Sequence, residues 1–194
     1  MIIQDAQFGY TAKVDKSNRL DTRGITKTET ANATVEADSY NVNTGLITLT
    51  TAGESGVMYM KNNEDRDINI DAIVAIFGPS TGGAATDTNQ IRVYRNPTTG
   101  TLISGAVDVD DNDNRNFGSS KTLLADAYKG ATGNTITNGS VVVESLVGPG
   151  ARVSFNIDLV LTKGDSIAIS YEPSDSNTSM KCMAAIILHL EPDL

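Results

Sequence analysis

The sequence predicts an all-β protein, an antiparallel jelly-roll-like β-sandwich that follows an extended N-terminal arm. Two observations predict this fold class. Thr, Asn, Gly, Val and Ile are plentiful while Leu is scarce, which favours strands joined by tight turns. Short apolar runs recur between turn signals, and apart from a weak pattern over Thr28–Ala37 no long window has a convincing helical period.

The first 38 residues differ from the rest of the chain. Ile2, Ile3 and Phe8 could form a short edge strand, but beyond them apolar residues are sparse. Because such a segment buries little surface alone, it is either an arm laid on a partner or a mobile terminus. The predicted organisation is an arm over 1–38 and a sandwich over 39–194.

Nine or ten strands are predicted in the sandwich. The clearest follow the period of two that places one strand face on a core. They comprise Ile68, Ile70, Ala72, Val74 and Ile76; Val153, Phe155, Ile157, Leu159 and Leu161; and Cys182, Ala184, Ile186, Leu188 and Leu190. Others are expected at 45–50, 57–60, 91–94, 101–107, 123–128, 141–143 and 167–171, with a hairpin turn at Lys163–Asp165. Without crossover helices, these strands indicate a sandwich or jelly roll.

Net charge, apolar run length and cysteine content limit the partners and the cellular compartment that we expect. The net charge of −9 opposes phosphate binding, so no nucleic acid is expected. The longest apolar run, Met183–Leu188, is far below the ~20 residues of a membrane span, so no membrane is expected. The chain has no secretory signal pattern. A single cysteine, Cys182, lies among apolar residues, which predicts an inert buried thiol and synthesis in a reducing cytosol.

One pattern resembles a hydrolase motif. Gly78–Gly82 matches G-x-S-x-G and follows a predicted strand, which would make Ser80 a nucleophile. The residues after it have no amphipathic pattern, although this motif requires a helix there. The single histidine, His189, would have to act as the base, yet it lies in the last predicted strand. We therefore predict that the protein is not an enzyme, with no catalytic residues.

The acidic segment from Asp108 to Asn116 offers oxygen ligands that calcium prefers. The candidate ligands are Asp108, Asp110, Asn112 and Asn114. The spacing does not match the EF-hand, because Asp113 stands where that loop needs glycine and Ser119 where it needs glutamate. The favoured interpretation is an exposed acidic connection that also protects a sheet edge. We therefore predict no metal and no cofactor, with calcium as the alternative.

Aromatic residues are few, and there is no tryptophan. Carbohydrate-binding modules usually expose Trp or Tyr platforms, so this composition weakens a sugar-binding interpretation. Tyr94, beside Arg92 and Arg95, is the best small patch for a sugar.

Four runs together resemble small virion proteins of tailed bacteriophages over most of the chain. They are VDKSNRLDTRGITKTE, NVNTGLITLT, YMKNNEDRDINI and RVYRNPTTGTLISGAVDVDDNDNRNFGSS. The resemblance implies a jelly-roll structural protein similar to capsid decoration (cement) or head-fibre proteins, which are commonly trimeric. It carries over no functional residue.

The expected function is therefore a non-enzymatic virion structural protein, made in the host cytoplasm and attached by its N-terminal arm. Its expected partners are the major capsid protein or neighbouring virion subunits, and copies of itself in a homotrimer. The alternative is a receptor- or glycan-binding module at a tail or fibre tip.

Overall fold

The computed structural model describes residues 2–4, 11–13, 28–50, 53–81, 88–105, 107–109, 111–148, 150–174 and 179–192. Its elements in chain order are β1 (Ile2–Gln4), β2 (Thr11–Lys13), α1 (Glu29–Val35), β3 (Ser39–Asn43), β4 (Ile47–Leu49), β5 (Ser55–Asn62), β6 (Ile68–Thr81), β7 (Asn89–Arg95), α2 (Thr101–Ser104), β8 (Val107–Asp108), β9 (Asp111–Asn114), β10 (Ala125–Lys129), β11 (Ser140–Val147), β12 (Arg152–Phe155), β13 (Leu159–Leu161), β14 (Ser166–Glu172) and β15 (Ser179–Leu190).

Two antiparallel sheets form a jelly-roll-like sandwich, as predicted. The first sheet has the strand order β11-β7-β14-β5-β10-β8. The second has the order β12-β6-β15-β3-β9, with β13 also paired to β6 and β4 to β15. The strands β1 and β2 pair with each other in a separate two-stranded sheet.

The core lies between the inner faces of the two sheets. In β15 the alternation predicted from sequence is confirmed, because Cys182, Ala184, Ile186 and Leu188 are all buried. Phe77 of the second sheet meets Tyr171 of the first with ring centroids 4.5 Å apart. The long ladder between β6 and β15 forms the centre of the second sheet.

The helix α1 covers one end of the outward face of the second sheet. Thr28 caps it, because its hydroxyl accepts a hydrogen bond from the Ala31 amide at 3.2 Å. Ala33 is buried, and the Thr30 hydroxyl donates to Asp71 on β6 at 2.9 Å. The weak helical pattern over Thr28–Ala37 thus marks a real helix, which packs on the sandwich. The predicted arm at 1–38 otherwise falls largely outside the described residues and stays a prediction.

Three local predictions are wrong. Residues 101–107 do not form one strand, since α2 occupies Thr101–Ser104 and places buried Leu102 beside Tyr59 on the outside of the first sheet. The turn at Lys163–Asp165 does not close a hairpin, because β13 and β14 belong to different sheets. The acidic segment is not wholly a connection, since Asp111–Asn114 pairs with β3 as an edge strand.

The strand predicted over Ile68–Ile76 is longer than expected. The strand β6 continues to Thr81, where it still pairs with Ser179 of β15. The strand predicted over Val153–Leu161 is interrupted instead of continuous. Phe155 pairs with Ile73 and Leu159 with Ile70, so the three residues between Phe155 and Leu159 oppose only two between Ile70 and Ile73.

Candidate functional site

Ser80 and His189 lie at opposite ends of the ladder between β6 and β15. The backbone of Ser80 pairs with Met180, while His189 pairs with Asn69. Met180 and His189 are nine residue steps apart on β15, which amounts to roughly 30 Å at the rise of an extended strand. The two residues cannot share a proton, so the hydrolase pattern at Gly78–Gly82 has no base in His189.

The imidazole of His189 lies instead in a polar pocket under α1. Its Nδ1 is 3.0 Å from Asp71 Oδ1, the same oxygen that accepts from Thr30. Asp71 Oδ2 is buried without a hydrogen-bond partner. Asn69 lies at the Nε2 side of the ring and donates to Glu191 at 3.2 Å. These contacts join the end of β15 to the helix, and they place no nucleophile beside the ring among the described residues.

The calcium candidates are distributed over two sheets. Asp108 lies on β8 in the first sheet and Asn114 on β9 in the second. Asn114 Oδ1 already accepts from the Asn116 amide at 2.9 Å, and its Nδ2 donates to Ala37 O at 2.8 Å. Asp110 and the side chain of Asn112 lie outside the described part of the chain. No set of three His, Cys, Asp or Glu residues suited to a metal occurs among the residues described.

The sugar-binding candidates Arg92 and Tyr94 belong to an ionic cluster on the outward face of the first sheet. Arg92 lies 3.0 Å from Glu54, 2.9 Å from Glu144 and 2.7 Å from Glu172. The Tyr94 hydroxyl donates to Glu54. The Arg92 guanidinium is thus engaged by three carboxylates, and the Tyr94 hydroxyl by one of them.

This cluster also shifts the ionisation of its members. Burial alone would raise the pKa of Glu54, but hydrogen bonds from Ser170 and Tyr94 and the charge of Arg92 together lower it. The carboxylates raise the pKa of Arg92 despite its burial. Three carboxylates around one guanidinium leave an excess of negative charge within this cluster, whose members are scattered along the sequence.

A second ionic cluster joins three loops at one end of the sandwich. The nearly buried Asp38 lies 2.9 Å from Lys121 Nζ and 3.1 Å from Arg66 Nη1. Burial would raise the pKa of Asp38, but these two cations outweigh it and lower that pKa. The cluster holds the end of α1 against the loops that carry Arg66 and Lys121, so its role is structural.

The outward face of the second sheet carries an apolar patch. We call the apolar face the set Val74, Ile76, Met183, Ala185 and Ile187, which alternate with core residues along β6 and β15. Val74 is buried and the other four are half-buried. These residues form the floor of a shallow depression on the protein surface. Phe117 lies at its border, and the ring of Phe117 is fully exposed. Sequence reasoning missed this surface, because the period of two put Val74 and Ile76 on the core face of β6 together with Ile68 and Ile70. That prediction is wrong, since a register shift leaves Asp71 as an extra residue and Ile73 and Ala75 face the core instead. The signal for the surface is the apolar residues at both parities of β6 and β15.

Two further sequence predictions concern the single cysteine and membrane-spanning segments. Cys182 is buried, and burial raises the pKa of its thiol to about 12, as expected for an inert cysteine. Among the described residues, the helices are too short and too polar to cross a membrane.

No protein-family model matches the chain, and no curated protein matches it. Among solved structures it is similar to the Yersinia pseudotuberculosis-derived mitogen, with 12% identity and a TM-score of 0.36 over 79% of this chain and 88% of the mitogen. It is also similar to Desmodium yellow mottle tymovirus, with 10% identity and a TM-score of 0.26 over 80% of this chain and 89% of the viral one. Likenesses this weak carry no functional argument.

Proposed function

We propose that the chain is a non-enzymatic structural component of a tailed-bacteriophage virion, a capsid decoration or head-fibre protein that attaches through its N-terminal segment. The observation that carries this proposal is the pairing of β1 and β2. Ile3 pairs with Ala12, and in the described part of the chain neither strand joins a sandwich sheet. A two-stranded sheet is marginal in water by itself, so it gains most from a partner surface.

The length of the chain allows this hairpin to bind at a distance. Fifteen residue steps separate Lys13 from Thr28, where the described body begins. A fully extended chain of that length spans at most roughly 50 Å. The hairpin can therefore reach a neighbouring protein while the sandwich stays outside it, which is the geometry that an attached virion protein needs.

Two properties of the sequence support the same proposal. The net charge of −9 favours a protein partner over packaged nucleic acid. The four runs named above resemble small phage virion proteins over most of the chain. The proposed partners are the major capsid protein or adjacent virion subunits, and the protein is made in the host cytoplasm before it joins the particle. Homotrimeric assembly, which the resemblance implies, belongs to the same proposal.

Attachment can be tested on capsids that lack this protein. Purified full-length protein should co-sediment with such capsids, and Ala12→Pro should abolish co-sedimentation because proline disrupts the hairpin ladder. Circular dichroism should show that the variant keeps its sandwich. Gly148→Ala is the control, since a Cβ there meets nothing within 4 Å. Full attachment of the Ala12→Pro variant would overturn attachment by the hairpin.

A further inference from the structure

The apolar face is unusual for its place in the fold. The outer face of a sheet in an antiparallel sandwich normally alternates to polar residues. Here Met183 pairs with Ile76 and Ala185 with Val74, so four apolar side chains adjoin at the centre of the second sheet. The fully exposed Phe117 borders the same depression. A continuous apolar patch beside an exposed aromatic ring marks a protein contact surface.

Opposite charges stand at the two borders of this face. Arg152, on the edge strand β12, pairs with Ile76. Asp113, on the opposite edge strand β9, pairs with Asn41, which itself pairs with Ile187. Both charged side chains are exposed, and neither forms an ion pair with any residue that the structure describes. Arg115 lies on the same border as Asp113, but its guanidinium donates to Ser39 Oγ at 3.2 Å. Among the described residues, the apolar centre thus has an unpaired cation, Arg152, on one side and an unpaired anion, Asp113, on the other.

We propose that this face binds the same face of a second copy of the chain around a two-fold axis. The axis lies in the plane of the interface, crosses the apolar centre and passes midway between Arg152 and Asp113. Rotation about it places each border of one copy against the opposite border of the other copy. Arg152 of each copy then meets Asp113 of the other, and the two apolar centres and Phe117 rings are buried together. An isologous interface requires this reciprocity, in which one patch is complementary to itself.

The charge arrangement favours a second copy over an unrelated partner. A partner that recognised only the apolar centre would need no opposite charges at the two borders, whereas self-association uses both of them. The contact is independent of attachment through the N-terminal hairpin, because it involves another surface. It is compatible with three-fold contacts elsewhere on the chain, since dihedral assemblies combine two-fold and three-fold axes.

Charge reversal tests the geometry by sedimentation of the full chain. Asp113→Arg and Arg152→Asp each place like charges opposite one another, so each should weaken association by roughly tenfold or more. The double variant restores both pairs with their signs exchanged and should associate like the wild type. An equimolar mixture of the two single variants should also associate, because every contact in the mixed pair joins opposite charges.

Substitution at the apolar centre provides a second measurement. Ile187→Glu should abolish the two-fold contact while the circular dichroism spectrum stays unchanged. Val107→Glu is the matched control, since Val107 is an exposed apolar residue on the far edge of the first sheet and should leave association unaffected.

Three results would overturn the proposal. The first is a wild-type chain that stays monomeric at every concentration reached. This result would also be obtained if another segment of the same chain covered the face, and it overturns the proposal in that case too. The second is an assembly that survives both Ile187→Glu and the single charge reversals. The third is a double charge reversal that fails to recover. Capsid co-sedimentation by the Ile187→Glu variant reports on attachment separately, so failure of either proposal is recognisable.

Discussion

His189 and Asp71 form a contact between β15 and β6, with Nδ1 3.0 Å from Oδ1. The histidine side chain is almost fully buried, and the same carboxylate oxygen accepts from Thr30 on α1. One acid thus connects the two central strands of the second sheet with the helix that covers them. The single histidine of the chain is therefore used for structure at this position, about 30 Å along β15 from the level of Ser80.

Removal of the helix contact should be measurable by itself. Thr30→Val keeps the shape of the side chain but deletes the hydroxyl that donates to Asp71. We expect the free energy of unfolding to fall by about 0.5–1.5 kcal/mol, the usual value of one such hydrogen bond. Urea unfolding followed by circular dichroism measures it. Thr98→Val, a substitution in the turn between β7 and α2, is the control and should change stability less; an equal loss in both would contradict the proposed role of the contact.

Asp38 should make the protein sensitive to acid. The cations Lys121 and Arg66 lower its folded pKa below the ordinary value. A carboxyl with a depressed folded pKa stabilises the fold fully above its unfolded pKa of about 3.9, and the contribution is lost as the pH falls through the folded pKa.

Asp38→Asn should therefore cost about 1–2 kcal/mol near neutral pH and progressively less below pH ~4. Chemical unfolding at a series of pH values measures this difference. Asp158→Asn, at an exposed acid without an ion pair among the described residues, is the control. A cost for Asp38→Asn that stays constant down to the lowest pH would contradict the assigned ionisation.

Arg92 should be more important than its position on an outer face suggests. Arg92→Met keeps the apolar stem but leaves Glu54, Glu144 and Glu172 facing one another without a cation. We expect a loss of about 1–2 kcal/mol that shrinks as salt screens the repulsion. Lys163→Met is the control, because Lys163 forms a single exposed pair with Asp65. Equal losses in the two variants at low salt would contradict a cluster effect.

How far the sequence predicts this structure depends on which interaction forms each element. The period of two in β15 identified both the strand and its inward residues, because burial of apolar side chains determines both. It could not show which sheet a strand joins. The turn at Lys163–Asp165 looks local in sequence, yet hydrogen bonds with β6 and β5 place its two flanking strands in different sheets.

Elements held by main-chain contacts were the hardest to predict. The edge strand at Asp111–Asn114 pairs through its backbone with β3, while Asp and Asn are poor strand formers. Residues 101–104 look like a strand from their apolar content, but Leu102 turns onto the first sheet and its amide donates to Thr135 O at 3.2 Å. The ionic cluster around Arg92 joins residues from four separate segments, so no local pattern could have shown it.

The contact between Gly130 and Gly56 predicts a sharp intolerance to any side chain. A Cβ on Gly130 would lie 1.9 Å from the carbonyl oxygen of Gly56 and 2.8 Å from its carbon. Both contacts are with backbone, so relief requires the loop after β10 to move away from β5. That movement would break the hydrogen bond from the Gly130 amide to Val57 O, now 2.9 Å long.

Gly130→Ala should therefore lower the free energy of unfolding by about 2–4 kcal/mol, the range of substitutions that overpack a filled site and break a buried hydrogen bond. Thermal unfolding of the purified variant measures it. Gly148→Ala introduces the same methyl group where nothing lies within 4 Å, and it should change stability by less than about 0.5 kcal/mol. Similar melting temperatures for the two variants would show that the loop after β10 does not lie against β5 as described.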